Sequence, residues 1–170
     1  MTDLISKIKS DTRLQKFLCE TCSENNIEAT FDEGISANDF VVVKVDNYYN
    51  SLLEKSPPSP DCLIVLKCEN SGYSLTIIEL KSISSSKGFT IDNMIKKFET
   101  CIHDFIETRF EDLLYVDYKN IKLFFISNIE LYQRDIGLKM ELLINTRFKY
   151  KNKTLMIKPY KPIPIIKKCY

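Results

Sequence analysis

The sequence predicts an α/β domain, a mixed central β-sheet flanked by helices in the order αβββαβ. Three observations lead there. Ser59 to Ser82 holds two apolar, β-branched runs on either side of Asn70-Ser71-Gly72, the pattern of a β-hairpin. Asp39 to Asp46 is a strand whose Val41-Val42-Val43 run suits a central, two-sided place in a sheet. From Thr90 or Asp92 to about Phe110, Ile91, Met94, Ile95, Phe98, Ile102, Phe105, Ile106 and Phe110 follow helical spacing, and Ile121 to Ser127 is a further buried strand. A helix crossing from the third strand to the fourth makes that pair parallel or neighbouring.

The remaining elements follow in order. Thr2 or Asp3 caps a short helix with Leu4, Ile5 and Ile8 on one side, and Ser10-Asp11-Thr12 interrupts and recaps it. From Asp11 to about Asn25, Leu14, Phe17, Leu18 and Cys22 keep helical spacing, so a second helix is expected there, with Glu20 and Glu24 one turn apart. Phe31 to Asn38 is a loop. Tyr48 to Pro60, with Pro57, Pro58 and Pro60, is a linker that no central strand tolerates. Leu131 to Gly137 reads as a short helix, and Leu138 to Thr146 with Thr154 to Pro159 as a hairpin around Lys151-Asn152-Lys153.

Length and composition set bounds. The chain of 170 residues makes a single domain, with its core at about 11–127 and a basic extension at about 138–170. A formal net charge of +1 gives no general attraction to nucleic acid, so any such binding must use a local patch. The apolar runs are too short to span a bilayer, and Met1 to Lys7 lacks the apolar centre of a signal peptide. A soluble, cytoplasmic protein with no membrane contact is therefore expected, its six cysteines reduced and buried. Cys19-x-x-Cys22 has the spacing of half a zinc site, but the only other candidates are Cys101 and His103, an incomplete set. With 4 glycines there is no glycine-rich nucleotide loop, and with His103 as the one histidine there is no two-histidine site.

The hairpin carries chemistry. Asp61 opens its first strand, while Glu79 and Lys81 close its second and share one face. Depending on the turn, Asp61 falls opposite Glu79, Leu80 or Lys81, with Cβ atoms of opposed residues about 5 Å apart. Two carboxylates with the Leu80 carbonyl make a hard oxygen site suited to Mg²⁺, and a lysine beside it can hold a water and stabilise charge on phosphorus. Pro60, Asp61, Glu79 and Lys81 together resemble the PD-(D/E)XK signature of the restriction-endonuclease-like nuclease superfamily, whose core is also αβββαβ. The resemblance implies a nuclease using Mg²⁺, with Mn²⁺ substituting: Asp61 and Glu79 hold the metal, and Lys81 assists the attacking water. It also implies a further acid from the first long helix, Glu24 or Glu20, with Glu24 preferred. Against it stands the plain reading of strand-opening Asp-Pro and a solvated Glu-x-Lys.

Two basic stretches are candidate nucleic-acid contacts. Ser82 to Phe89, with Lys87, suits a loop along a phosphate backbone and equally a simple connector. After Glu141 there is no acid, while lysines including Lys149, Lys151 and Lys153 interleave with Phe148, Tyr150 and Tyr160. Edge lysines that prevent aggregation account for them equally. The function expected from the whole is hydrolysis of phosphodiester bonds in DNA, or RNA, by a homodimer or a larger nucleoprotein assembly. The alternative is a catalytically silent nucleic-acid-binding or assembly subunit of the same fold.

Overall fold

Side chains alternate across a strand, and in this chain both sets are apolar. In the computed structural model, which describes residues 3–24, 27–52, 55–81, 90–127, 134–160 and 164–170, that alternation separates two cores on the two faces of one sheet. The ten described strands are β1 (Leu18–Cys19), β2 (Cys22–Glu24), β3 (Ile27–Phe31), β4 (Phe40–Lys44), β5 (Cys62–Lys67), β6 (Tyr73–Lys81), β7 (Asn120–Ser127), β8 (Arg147–Tyr150), β9 (Lys153–Tyr160) and β10 (Ile165–Ile166). Seven of them form the central sheet, in the order β1-β4-β5-β6-β7-β9-β8. β4, β5 and β6 are antiparallel, whereas β6, β7 and β9 run parallel.

One face carries Val41, Val43, Leu63, Val65, Leu75, Ile77, Leu123 and Phe125. Against it lie α1 (Leu4–Ser10), α3 (Ile91–Glu99) with its continuation, and α5 (Arg134–Asn145). Two short helices, α2 (Val45–Asn50) and α4 (Glu111–Leu114), complete that side. The other face carries Val42, Ile64, Leu66, Ile78, Leu80, Phe124 and Ile126, covered by a small sheet ordered β10-β3-β2. The fold is thus mixed α/β, its central mixed sheet flanked by helices, with strands covering part of the second face. Among the described residues no helix is long and apolar enough to cross a membrane.

The hairpin turns at Asn70: Lys67 pairs with Tyr73 and Cys62 with Ile78, so the register continues to place Asp61 opposite Glu79. Ser71 and Gly72 take positive φ, 66° and 79°, as a tight reversal between right-twisted strands requires. After α3 the backbone widens into a π-helix over Thr100–Arg109, closed by the bond from Phe110 N–H to the Phe105 carbonyl at 3.0 Å.

Three expectations are corrected. The helix from Asp11 to Asn25 does not form; a 3₁₀ turn (Gln15–Phe17) leads instead into β1 and β2. Leu14 and Phe17 enter the helix-covered core while Cys22 enters the other, and one helix stripe cannot feed two faces of a sheet. Leu138 to Thr146 is not a strand, because α5 buries Met140 and Leu143 at helical spacing. The cysteines are not all reduced, since Cys22 bonds Cys62 and Cys68 bonds Cys169. Partners 40 and 101 residues apart leave no spacing signal to read.

Candidate functional site

The site lies where β5 begins and β6 ends. Asp61, Glu79 and Lys81 are odd-numbered like Leu63, Val65, Leu75 and Ile77, so all three belong to the helix-covered face. The Asp61 carbonyl accepts the Val45 N–H at 3.0 Å, which brings the start of α2 beside it. Its carboxylate accepts the Leu80 N–H through Oδ2 at 2.5 Å. Leu80, expected to offer a carbonyl, thus contributes a backbone donor that orients Asp61.

Glu79 is the most constrained acid of the group. It is 1% exposed, its Oε1 accepts the Lys97 ammonium at 2.5 Å, and its Oε2 is a buried oxygen with no hydrogen-bond partner among the described residues. Burial pushes the Glu79 carboxyl up to about 8; the Asp61 charge adds to the rise, and Lys97 and Lys81 oppose it. Asp61 is raised to about 6, again chiefly by burial, with the Leu80 hydrogen bond and Lys97 pulling it down and Glu24 and Asp46 pushing it up. Asp46, near the start of α2, is raised as well, by burial first and then by Glu24.

Two neighbours of Asp61 and Glu79 were not legible in the sequence. Lys97 sits on α3 next to the exposed Lys96, and nothing in the sequence separates the two. Asp46, read as a strand end, is carried into the cluster by α2. Glu24 does lie within electrostatic reach of Asp61, but from strand β2 rather than from a helix. The Cys22–Cys62 disulfide is the reason: it ties β2 to the residue directly after Asp61. Glu20, the other candidate acid, lies in the turn between β1 and β2 and is exposed.

The basic stretch of β8 and β9 lies apart from Asp61 and Glu79. β9 begins at Lys153 and runs parallel to β7 and β6, so Lys153 is level with Tyr73, six residues from Glu79, or about 20 Å along the strands. Lys149, Lys151 and Lys153 therefore lie at the far end of the sheet, and each is engaged there. Lys149 donates to Thr154 Oγ1 at 2.9 Å, Lys151 pairs with Asp117 at 3.2 Å, and Lys153 donates to the Tyr118 carbonyl. Lys87 lies outside the described residues.

Does the donor set fit a divalent ion? Among the described residues no three His, Cys, Asp or Glu side chains converge to hold one by themselves. Mg²⁺ asks less, one or two carboxylates with the rest water, and the unpartnered Glu79 Oε2 beside a second raised carboxyl meets that demand. Comparison of the chain with family models, with curated proteins and with solved structures finds no match.

Proposed function

We propose that the protein is a metal-dependent nuclease of the restriction-endonuclease-like type, hydrolysing phosphodiester bonds in DNA or RNA. The observation that carries the reading is the buried Asp61–Glu79 pair, both carboxyls held above their ordinary range and one oxygen without a partner among the described residues. Such an arrangement is costly unless a cation relieves it. With β1, β2, β3 and the short α2 and α4 set aside, the order α1, β4, β5, β6, α3, β7 follows αβββαβ with the acids at the strand ends, which supports the same reading.

Asp61 and Glu79 would hold Mg²⁺ or Mn²⁺, which when bound lowers the pKa of a water and offsets charge on the phosphate. This chain's residues would do the rest. The Leu80 N–H fixes the Asp61 carboxylate, and Lys97 keeps one Glu79 oxygen turned to α3. Lys81, half-buried on the same face, would orient the attacking water and meet the negative charge that builds on the phosphoryl oxygens. Incubation of the purified protein with plasmid, linear and branched DNA, in Mg²⁺, Mn²⁺ or chelator, tests this. Metal-dependent cleavage lost in Asp61→Ala and Lys81→Ala supports it.

One observation favours a second reading. The Lys97 ammonium already stands against Glu79 where positive charge is needed. A silent nucleic-acid-binding subunit would use that lysine permanently in place of a metal. Metal titration separates the two: a nuclease binds Mn²⁺ at this pair and the silent subunit does not.

A further inference from the structure

We propose that the face formed by Lys122, Lys158 and Lys167, with Tyr160 at its rim, holds the phosphodiester backbone of a nucleic acid. This rests on the nuclease reading for the identity of the partner and supplies the surface that Lys149, Lys151 and Lys153 do not. The sheet register builds it. Leu123 pairs with Ile157 and Phe124 with Lys158, so Lys122 and Lys158 are diagonal neighbours on adjacent strands. Both are even-numbered, like Phe124, and so stand on the face opposite the helices. Lys167 follows Ile166 of β10, which is buried in the core of that face.

Lys122 lies within electrostatic reach of the other two: burial, then Lys158 and Lys167, hold it below its ordinary range. None of the three has an ion-pair partner among the described residues, whereas Lys151 and Lys168 do. Like charges gathered without a carboxylate are unfavourable in the free protein and fit a polyanion. An aromatic ring adjoins them. Tyr160 is 41% exposed, and its ring rests on Phe124 at 4.4 Å between centroids. Met156, 45% exposed, extends the same strand face. Lysines beside an accessible ring suit a sugar–phosphate strand with its bases better than a bare anion.

Position ties this face to the candidate site. Tyr160 pairs with Ile126, and Ile126 with Leu80, so Tyr160 is level with the residue between Glu79 and Lys81. Two strand spacings separate them, about 10 Å. A strand lying over Lys122 and Lys158 thus reaches the sheet rim at the level of Lys81, which stands on the other face.

The test is equilibrium binding of a fluorescein-labelled DNA duplex and single strand in chelator, where no cleavage occurs. K122Q/K158Q/K167Q is compared with K149Q/K151Q/K153Q, with circular dichroism confirming that both fold and Lys158→Gln alone as a milder variant. The first triple variant is expected to lose at least tenfold in affinity, with its salt slope on duplex reduced by about 2.7, since each phosphate contact contributes about 0.9. The second should stay within twofold of wild type. An unchanged slope in the first variant overturns the proposal, as does wild type that binds no DNA or prefers anionic vesicles. The two readings fail separately. Wild type that binds through these lysines yet cuts nothing removes the nuclease and keeps the surface. A triple variant that binds and cuts like wild type does the reverse.

Discussion

The two ends of the parallel strands β6, β7 and β9 treat buried polar groups in opposite ways. Where the strands begin, the buried tyrosines have partners. Tyr118 donates to the Leu114 carbonyl at 2.9 Å and Tyr150 to the Val116 carbonyl at 2.7 Å. Where β6 ends, Glu79 keeps a buried oxygen without a partner among the described residues, and Asp61 is raised beside it. Satisfied buried groups contribute to stability; an unsatisfied, charge-dense cluster costs stability and is where chemistry is expected. The first end locks the fold, and the second holds the cluster on which the proposed metal site rests.

Mutations that break this contrast have effects of different size. The largest is on turnover. Lys81→Ala is expected to lower cleavage by at least about 100-fold while leaving the melting temperature within a few degrees, because a lysine at a strand end adds little core burial. Tyr150→Phe at the other end should leave cleavage unchanged and cost about 1 kcal/mol in denaturant unfolding. Next comes the Cys22–Cys62 bond, which closes a 40-residue separation and holds β2 against Asp61. Cys62→Ala should cost about 2–4 kcal/mol and lower activity, whereas Cys101→Ser, in the helix-covered core and unbonded, should not alter metal binding.

Smaller still is the loss of Lys97. Lys97→Met should push the Glu79 carboxyl further up, costing little at pH 5, where Glu79 holds a proton in both proteins, and more above about pH 8, where only wild type ionises it against an ammonium. The pH dependence of the intact protein follows from the same groups. Folding raises Asp61 from 3.8 to about 6 and Glu79 from 4.5 to about 8. The folded chain therefore holds protons that the unfolded chain has released, and its metal-free stability falls as pH rises from about 4 to about 8. Glu79→Gln should flatten that decline in urea titrations, and saturating Mg²⁺ should lessen it. A decline as steep in Glu79→Gln as in wild type would place its origin elsewhere.

How much of this was legible in the sequence depended on whether local pattern and tertiary structure agreed. The hairpin register was open by two residues until the turn at Asn70 chose Glu79 as the partner of Asp61. The helix from Ile91 onward and the strand ending at Ser127 were plain, because each buries one clear face or run. Residues 18–24 were misread as helix because their strand pairing goes to β4 and β3, and the apolar residues of that stretch and the turn before it serve two faces. At the site, Asp61, Glu79 and Lys81 carried a signature, whereas Lys97 and Asp46 are recruited by packing and carried none. The choice between the lysines of the β8–β9 turn and Lys122, Lys158 and Lys167 needed strand direction, which no composition reveals.

The most direct measurement is cleavage of supercoiled plasmid and branched DNA by wild type and Glu79→Ala at neutral pH, in Mn²⁺, in Mg²⁺ and in chelator. Wild type is expected to nick or linearise DNA with either metal and to stop in chelator, and Glu79→Ala to leave the substrate intact under every condition. Cleavage by Glu79→Ala as fast as by wild type, or no cleavage of any substrate by wild type, would contradict the assignment of catalysis to the Asp61–Glu79 pair.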